Sequence, residues 1–312
     1  MESAAIAVKV VSPLFLLMAA GYVIRLVKAV PPDAFLHMNN LCFKFFLPAL
    51  LFNNIVSADI RSAFNARVMG YTTAAQFVSM CITLMIVPRL IKEKPVAASC
   101  AQAVFRSNFV AVGIALISDI VDADGLALVS LLGASTVPMF NFCAVIILES
   151  LRGGKISLKS FAKNVITNPL IIASALGVIF LLLGIKPAGI LKKSLNDAGS
   201  AATPLAIVCL GGLFNFASVK QNIKPVIIGS VGRLVVIPGI AIAGAVLAGF
   251  RGGNFLSIAA VFMPPVAVAS FSMAKQMGAD GDTAALLIVT TSIFSLITMA
   301  FWLALTHYYQ LW

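Results

Sequence analysis

Ten apolar stretches, each about as long as a helix that crosses a lipid bilayer, occupy most of this 312-residue chain. A spanning helix takes about 20 predominantly apolar residues. The candidate spans are 3–24, 36–57, 66–88, 97–118, 126–150, 165–185, 198–218, 225–249, 254–275 and 284–308. Only 11% of the residues are charged, against about 25% in soluble domains. The pattern predicts an all-α polytopic membrane protein of ten transmembrane helices, without a separate soluble domain.

The net charge of +11 raises nucleic acid or anionic lipid as a partner, but its distribution over the loops fits the positive-inside rule. With the N-terminus outside, the inner loops hold twelve basic residues: Arg25, Lys28, Arg89, Lys92, Lys94, Arg152, Lys155, Lys159, Lys163, Lys220, Lys224 and Lys275. The outer loops hold six: Arg61, Arg67, Lys186, Lys192, Lys193 and Arg251. We therefore expect a multi-pass protein of the plasma membrane (a bacterial inner membrane), with both termini in the periplasm and no nucleic-acid partner.

The cysteines give no sign of a metal site or a disulfide framework. Their number is odd and none forms a CxxC pair, and all lie in or beside apolar segments: Cys42, Cys81, Cys100, Cys143 and Cys209. Such cysteines are typical small core residues. We expect no metal and no cofactor.

An internal repeat runs through the chain at a shift of about half its length. "SPLFLLMAAGYVI" (12–24) matches "NPLIIASALGVIF" (168–180) at a shift of 156 residues. "AVFRSNFVAVG" (103–113) matches "AVFMPPVAVAS" (260–270) at a shift of 157. Matches in the same order at one shift indicate duplication of a unit of about 156 residues.

The duplication divides the chain into two five-helix repeats, 1–156 and 157–312. Because five is odd, the second repeat enters the membrane from the opposite side. Inverted repeats of this kind are typical of secondary transporters, whose binding site lies near the bilayer midplane where interrupted helices meet.

Two spans carry signs of interruption at matching places. Pro264 and Pro265 lie near the centre of the ninth span, where each removes a backbone donor and leaves carbonyls of the preceding turn unpaired. The matching segment of the fourth span, "RSN", has no proline. If that helix also opens, Ser107 and Asn108 have to satisfy the freed backbone themselves.

Arg106 places a positive charge deep in the fourth span. It lies twelve residues after Lys94, roughly 18 Å along a helix, which is too deep for its side chain to reach the interface. Burial there costs about 2.5–3.5 kcal/mol on insertion scales. Lys44 and Arg233 are expected at intermediate depth. For Arg106, a role in holding the helix bundle and a role in substrate binding or gating both stay open.

No Asp or Glu lies at the middle of a span, although sodium- or proton-coupled carriers commonly use a buried carboxylate. Positive charge, helix dipoles and hydroxyl or amide donors suit a small anion. The pattern therefore favours uniport or proton coupling over sodium coupling. Among further polar residues in the spans, we single out Asn53, Thr203 and Ser270, for which helix–helix hydrogen bonding is the competing interpretation.

A set of motifs resembles the auxin efflux carrier family, which includes bacterial permeases and the plant PIN-formed carriers. The motifs are "CFKFFLPALLFNNI", "FRSNFVAVGIAL", "TNPLI" and "ATPLAIVCLGGLF", and the resemblance covers essentially the whole chain. It implies ten spans, a fold similar to sodium–proton antiporters and bile-acid symporters, and crossed, broken fourth and ninth helices. It also implies transport of small organic anions, such as malonate or malate in bacteria and auxin in plants.

Carried over by position, the family's crossover maps to Ser107 and Asn108 in the fourth span and to Pro264 and Pro265 in the ninth. The chain departs from the plant carriers in two respects. It has no proline at the fourth-span crossover, and it has no long central loop. The short form resembles the bacterial members, which argues against auxin as the substrate.

The sequence therefore predicts a carrier, not an enzyme, for small mono- or dicarboxylates. We expect Asn108 and Ser107 to donate hydrogen bonds to the substrate and Arg106 to supply positive potential. The backbone near Pro264 and Pro265 is expected to contact the substrate. An anion channel and a carrier of other amphipathic organic acids, auxin-like molecules included, stay open, as do proton coupling and a homodimer. A metal-dependent membrane enzyme is the other class weighed, from "DIVDAD" (119–124) and "DGD" (280–282). The predicted topology places these two clusters on opposite faces of the membrane, where they cannot share a metal.

Overall fold

The computed structural model describes residues 2–31, 33–57, 64–118, 120–121, 123–151 and 158–312, and this part of the chain is built from α-helices. In chain order they are α1 Glu2–Leu26, α2 Ala34–Leu41, α3 Leu47–Val56, α4 Ala66–Leu90, α5 Lys94–Phe105, α6 Ile114–Ile117, α7 Ala123–Ser150, α8 Leu158–Ile166, α9 Pro169–Leu182, α10 Gly189–Leu213, α11 Ser218–Gln221, α12 Ile223–Val231, α13 Ile237–Leu247, α14 Gly252–Phe262, α15 Ala269–Gln276 and α16 Gly281–Tyr308. The described chain also contains three π-helical turns. Cys42–Phe46 joins α2 to α3, Phe109–Gly113 directly precedes α6, and Gly232–Val236 joins α12 to α13. The predicted all-α fold class is confirmed. Arg61, Asp119, Asp122, Arg152 and Lys155, on which parts of the charge and motif arguments rest, lie outside the described residues.

Five helical segments of the described chain are long and apolar enough to cross a membrane individually: Ala34–Val56, Ala66–Leu90, Gly125–Ser150, Ile223–Leu247 and Gly281–Tyr308. Lys159–Ile166 and Pro169–Leu182, bent by 59° at their junction, form one more span if they are taken together. The number of spans found by helix length and apolar composition is below ten, in part because the helices that contain α5 and α14 are interrupted. The count of ten spans therefore stays a prediction.

The helices pack in two groups. The first group, the α1/α10 group, contains α1, α2, α3, α9 and α10. Its central pair is α1 and α10, which approach so closely that a Cβ atom at Gly211 would lie 1.9 Å from the Met18 carbonyl oxygen and one at Gly21 would lie 2.1 Å from that of Val208. Small residues allow this backbone approach between helices in a membrane.

The second group, the crossing group, contains α4–α7 and α12–α16. At one end of this group the N–H of Asp280, before α16, donates to the Pro95 carbonyl of α5 at 3.1 Å. At the opposite end the N–H of Gly252, the first residue of α14, donates to the Leu311 carbonyl at 2.8 Å. Because α16 spans the group from one end to the other, α5 and α14 enter it from opposite ends.

The π-helical turn between α12 and α13 is followed by a proline. Pro238 has no N–H to donate to the Leu234 carbonyl one turn earlier, and the indole Nε1 of Trp302 donates to that carbonyl instead, at 2.9 Å. Such π-helical turns inside α-helices frequently occur at functional sites. This turn carries Arg233, whose position is central to the site described next.

Candidate functional site

Two interrupted helices cross near the middle of the crossing group. The first helix ends at Phe105 and resumes at Phe109, and the second ends at Phe262 and resumes at Ala269. The extended residues between these ends lie side by side, with Ser107 and Val266 forming an antiparallel β-bridge. The sequence segments "AVFRSNFVAVG" and "AVFMPPVAVAS" thus meet, and the predicted crossing of broken fourth and ninth helices is confirmed.

Backbone hydrogen bonds join the two interruptions directly. The N–H of Asn108 donates to the Pro265 carbonyl at 2.8 Å, and the N–H of Ala267 donates to the Arg106 carbonyl at 3.4 Å. The expectation that the side chains of Ser107 and Asn108 would satisfy the opened backbone is therefore wrong. Each broken helix supplies partners for the other, which is how the fourth span opens without a proline of its own.

Arg233 satisfies carbonyls that the broken helices leave free. Its guanidinium donates to Phe105 at 3.0 Å and to Val104 at 3.4 Å, at the end of α5. The same group donates to Pro264 at 3.1 Å and to Phe262, at the end of α14. The side chain is 0% exposed, so the expectation of intermediate depth for Arg233 is wrong. This arginine holds the crossing together.

The crossing separates the positive and negative helix ends. The C-terminal ends of α5 and α14, which carry partial negative charge, are bound to Arg233. The segments that resume at Phe109 and Ala269 present their N-terminal ends, which carry partial positive charge and N–H groups without intrahelical partners. These N-terminal ends face a cavity.

This cavity, cavity 1, has a volume of about 180 Å³ and lies between the two helix groups. The α1/α10 group contributes one wall, and α7 and the two interrupted helices contribute the rest. Its lining residues are Leu47, Leu50, Leu51, Asn54, Arg106, Ser107, Asn108, Phe109, Val110, Ala111, Val137, Phe140, Thr203, Ala206, Ala267, Val268 and Ala269. Most of the lining is apolar. Its polar residues are Arg106, Ser107 and Asn108 at the crossing, and Asn54 and Thr203 on the wall of the α1/α10 group.

Four of the predicted site residues line cavity 1: the consecutive residues Arg106, Ser107 and Asn108, and Thr203. Arg106 is 6% exposed, and its Nη1 contacts the Met273 sulfur, a weak acceptor, while none of the described residues pairs a carboxylate with this charge. Ser107 is 5% exposed, and its Oγ has no hydrogen-bond partner among the described residues. A buried hydroxyl without a partner is unfavourable, and a bound ligand in cavity 1 would satisfy it.

A second cavity, cavity 2, of about 190 Å³, adjoins the first. It is lined by Pro13, Leu14, Leu17, Asn108, Ala111, Val112, Thr203, Pro204, Ile207, Pro265, Val268 and Ser292. Asn108 and Thr203, both predicted site residues, line both cavities and therefore lie in the wall between them. Pro265 lines cavity 2, whereas Pro264 turns its carbonyl to Arg233.

Three of the predicted site residues, Pro264, Asn53 and Ser270, lie outside both cavities. The Nδ2 of Asn53 donates to Oδ1 of Asn196 at 2.6 Å, between α3 and α10, and the next residue, Asn54, lines cavity 1 instead. Successive helical residues point about 100° apart, so one position decides which of them faces the cavity. Ser270 is buried in α15 behind the lining residue Ala269, and its Oγ has no partner among the described residues.

The acidic residues of "DGD" have structural partners. Oδ2 of Asp280 accepts from the N–H of Thr283 at 2.6 Å and so caps the start of α16. Asp282 accepts from Asn215 at 3.4 Å. Within the described ranges, no cluster of His, Cys, Asp or Glu could hold a metal ion, and neither cavity is lined by an acidic residue.

The fold and the crossing together define a membrane transporter. Residues 6–303 match the family described as membrane transport protein, so the chain belongs to that family, the auxin efflux carrier family. An uncharacterized transporter of Methanothermobacter thermautotrophicus is 25% identical over 289 residues, which cover 92% of this chain and 94% of the relative. The sodium proton antiporter MjNhaP1 from Methanocaldococcus jannaschii has a similar fold, with a TM-score of 0.65 at 13% identity over 96% of this chain and 97% of the antiporter.

Proposed function

We propose that this transporter carries small organic anions, mono- or dicarboxylates such as malonate or malate, and binds them in cavity 1. The observation that carries this proposal is that Arg106 and Ser107, whose hydroxyl has no partner among the described residues, line one cavity that faces two helix N-terminal ends. All of these groups favour negative charge. Membrane carriers use half-helix N-termini in the same way to bind substrate carboxylates.

The size of cavity 1 favours a short substrate. Drug-sized ligands occupy pockets of roughly 300–1,000 Å³, whereas this cavity has about 180 Å³. Leu47, Leu51 and Phe140 also line the cavity and would contact a short hydrocarbon portion. This supports a small carboxylate over a larger aromatic acid of the auxin type.

Cavity 1 lies between two separately packed helix groups, which supports alternating access. Movement of the crossing group against the α1/α10 group would open the cavity to one side of the membrane and then to the other. The repeats 1–156 and 157–312 would supply two related arrangements of similar energy. We place the protein in the plasma membrane with both termini outside, on the basis of the loop charges.

Uptake into proteoliposomes tests this function. Wild-type protein is expected to accumulate radiolabelled malonate or malate with saturable kinetics, and unlabelled substrate inside should accelerate entry by counterflow. Indole-3-acetate and an organic cation of similar size serve as comparison substrates. Flux that never saturates and shows no counterflow would instead indicate an anion channel, and preferential uptake of the cation would contradict the proposal.

A further inference from the structure

Arg233 carries a positive charge to the centre of the bundle, where all its recorded partners are neutral. They are the backbone carbonyls of Val104, Phe105, Phe262 and Pro264. Val104 and Phe105 belong to the end of α5, Phe262 is the last residue of α14, and Pro264 follows it in the interruption. An arginine without partners in the membrane is costly, and these contacts satisfy the guanidinium and the freed carbonyls together.

Carbonyl oxygens at half-helix C-terminal ends are the groups that coordinate sodium ions or protons in many carriers. Four such oxygens drawn from two helices resemble the oxygen set that hard cations take as ligands. In this protein the guanidinium lies among these oxygens, with Nε, Nη1 and Nη2 each donating to at least one of them. The position of a metal cation is therefore filled by a side chain.

We propose that Arg233 is the built-in cation of the crossing, so that the carrier works without sodium, and that a neutral residue at this position creates a binding site for a small metal cation. Arg233 is then a positioning residue: it neutralises the negative helix ends and fixes the crossing, while the opposite helix ends receive the anion. Only the expected effect of Arg233 on transport rests on the proposed function. The cation site itself is a property of the protein without substrate.

Arg251 provides a matched control because it binds the same kind of partner in a different environment. Its Nη1 donates to the carbonyls of Phe250 at 2.6 Å and Val246 at 3.3 Å, at the end of α13. Arg251 is exposed at the end of the bundle, so water can hydrate these carbonyls when the side chain is removed. Removing Arg251 should therefore create no cation-binding site.

The test measures melting temperatures of purified protein without any organic acid, in NaCl and in choline chloride at equal concentration. For wild-type protein the two temperatures should agree. For R233M, which keeps an unbranched side chain but lacks the charge, sodium should raise the melting temperature saturably by about 2–4 °C over choline. R251M should show no difference, and R233K, which keeps the charge, should show none either.

Proteoliposome uptake supplies the second measurement. Wild-type and R233K uptake should be the same in sodium and in choline, whereas R233M should be strongly impaired in choline and recover partly in sodium. A sodium-specific stabilisation of wild-type protein would overturn the proposal, and this holds even if R233M does not fold. A folded R233M that gains nothing from any cation, or that transports like wild type in choline, would overturn it too.

These outcomes are separate from those that test the substrate. If no carboxylate is transported but R233M binds sodium and wild type does not, the built-in cation stands and the proposed substrate class fails. If carboxylate uptake is confirmed but depends on sodium in the wild type, the substrate class stands and the built-in cation fails.

Discussion

The backbone N–H of Asn108 donates to the carbonyl of Pro265 at 2.8 Å and so ties two helix interruptions that are 157 residues apart in the chain. Together with the Ser107–Val266 bridge, this bond replaces intrahelical hydrogen bonds that both helices give up. The backbone is thereby satisfied without the side chain of Asn108. That side chain lines both cavities and is available to a ligand.

Replacing Asn108 by alanine should abolish most transport and leave the fold intact. A hydrogen bond to a charged ligand contributes about 1.5–3 kcal/mol, and each 1.4 kcal/mol is a factor of ten. Uptake at low substrate concentration should therefore fall roughly 10–100-fold in N108A. Proteoliposome uptake at several substrate concentrations measures this.

The matched control is N53A, because Asn53 bonds to Asn196 outside both cavities. N53A should transport like wild type. Equal losses in both variants, or wild-type transport by N108A, would remove Asn108 from the site.

Replacing Ser107 by alanine should weaken substrate binding without lowering stability. The hydroxyl has no partner in the described structure, so its removal breaks no hydrogen bond within the protein. S107A should bind the carboxylate roughly tenfold more weakly, with an unchanged or slightly raised melting temperature. Ligand-induced thermal shifts measure both quantities.

Ser270 provides the comparison for this variant. Its hydroxyl is also buried without a partner but lies outside both cavities. S270A should therefore keep wild-type affinity. If S107A lost stability and kept its affinity, the hydroxyl would have a structural partner and no role in binding.

The sequence predicts the role of a residue whose effect follows from its own side chain. It does not predict the role of a residue that binds backbone groups distant in the chain. Pro264 and Pro265 break their helix by covalent geometry, and Arg106 stands out because it places a charge deep in an apolar span. The sequence places Arg233 at intermediate depth. Its burial at the crossing could not be predicted, because its partners are backbone carbonyls 29 to 129 residues away, which no side-chain pattern identifies. The choice between Asn53 and Asn54 depends on the rotation of α3, which is set by its packing against α9 and α10.

Replacing Gly113 by alanine should destabilise the crossing. A Cβ atom there would lie 2.2 Å from the Ala260 carbonyl oxygen of α14, so the two interrupted helices would have to separate. Overpacking of this kind costs about 1–3 kcal/mol, and the melting temperature in detergent should fall. G133A should not lower it, because a Cβ atom at Gly133 has no neighbour nearer than the Phe109 ring at 4.0 Å. Equal melting temperatures for G113A and wild type would contradict the close approach.

A disulfide between the two helix groups should stop transport if the groups move against each other. Ser272 of α15 donates to Oδ1 of Asn39 in α2 at 2.6 Å, and its side chain lies beside Cys42, whose thiol donates to the Ala202 carbonyl of α10. In S272C, oxidation should join the new thiol to Cys42. Uptake should then fall to background and return with a reductant.

The double variant C42S/S272C is the control, and oxidation should not affect its uptake. Mass spectrometry of peptides verifies the crosslink. Full transport by a fully crosslinked S272C protein would show that these two helix groups do not move relative to one another.

Equilibrium binding of radiolabelled malonate or malate to purified wild-type protein and to R106M shows whether a small carboxylate binds beside Arg106 at the crossing. Met preserves much of the side-chain volume and removes the charge. We expect saturable binding to wild type and at least roughly tenfold weaker binding to a folded R106M. Equal affinity in the two proteins, or saturable binding of neither acid to wild type, would contradict this expectation.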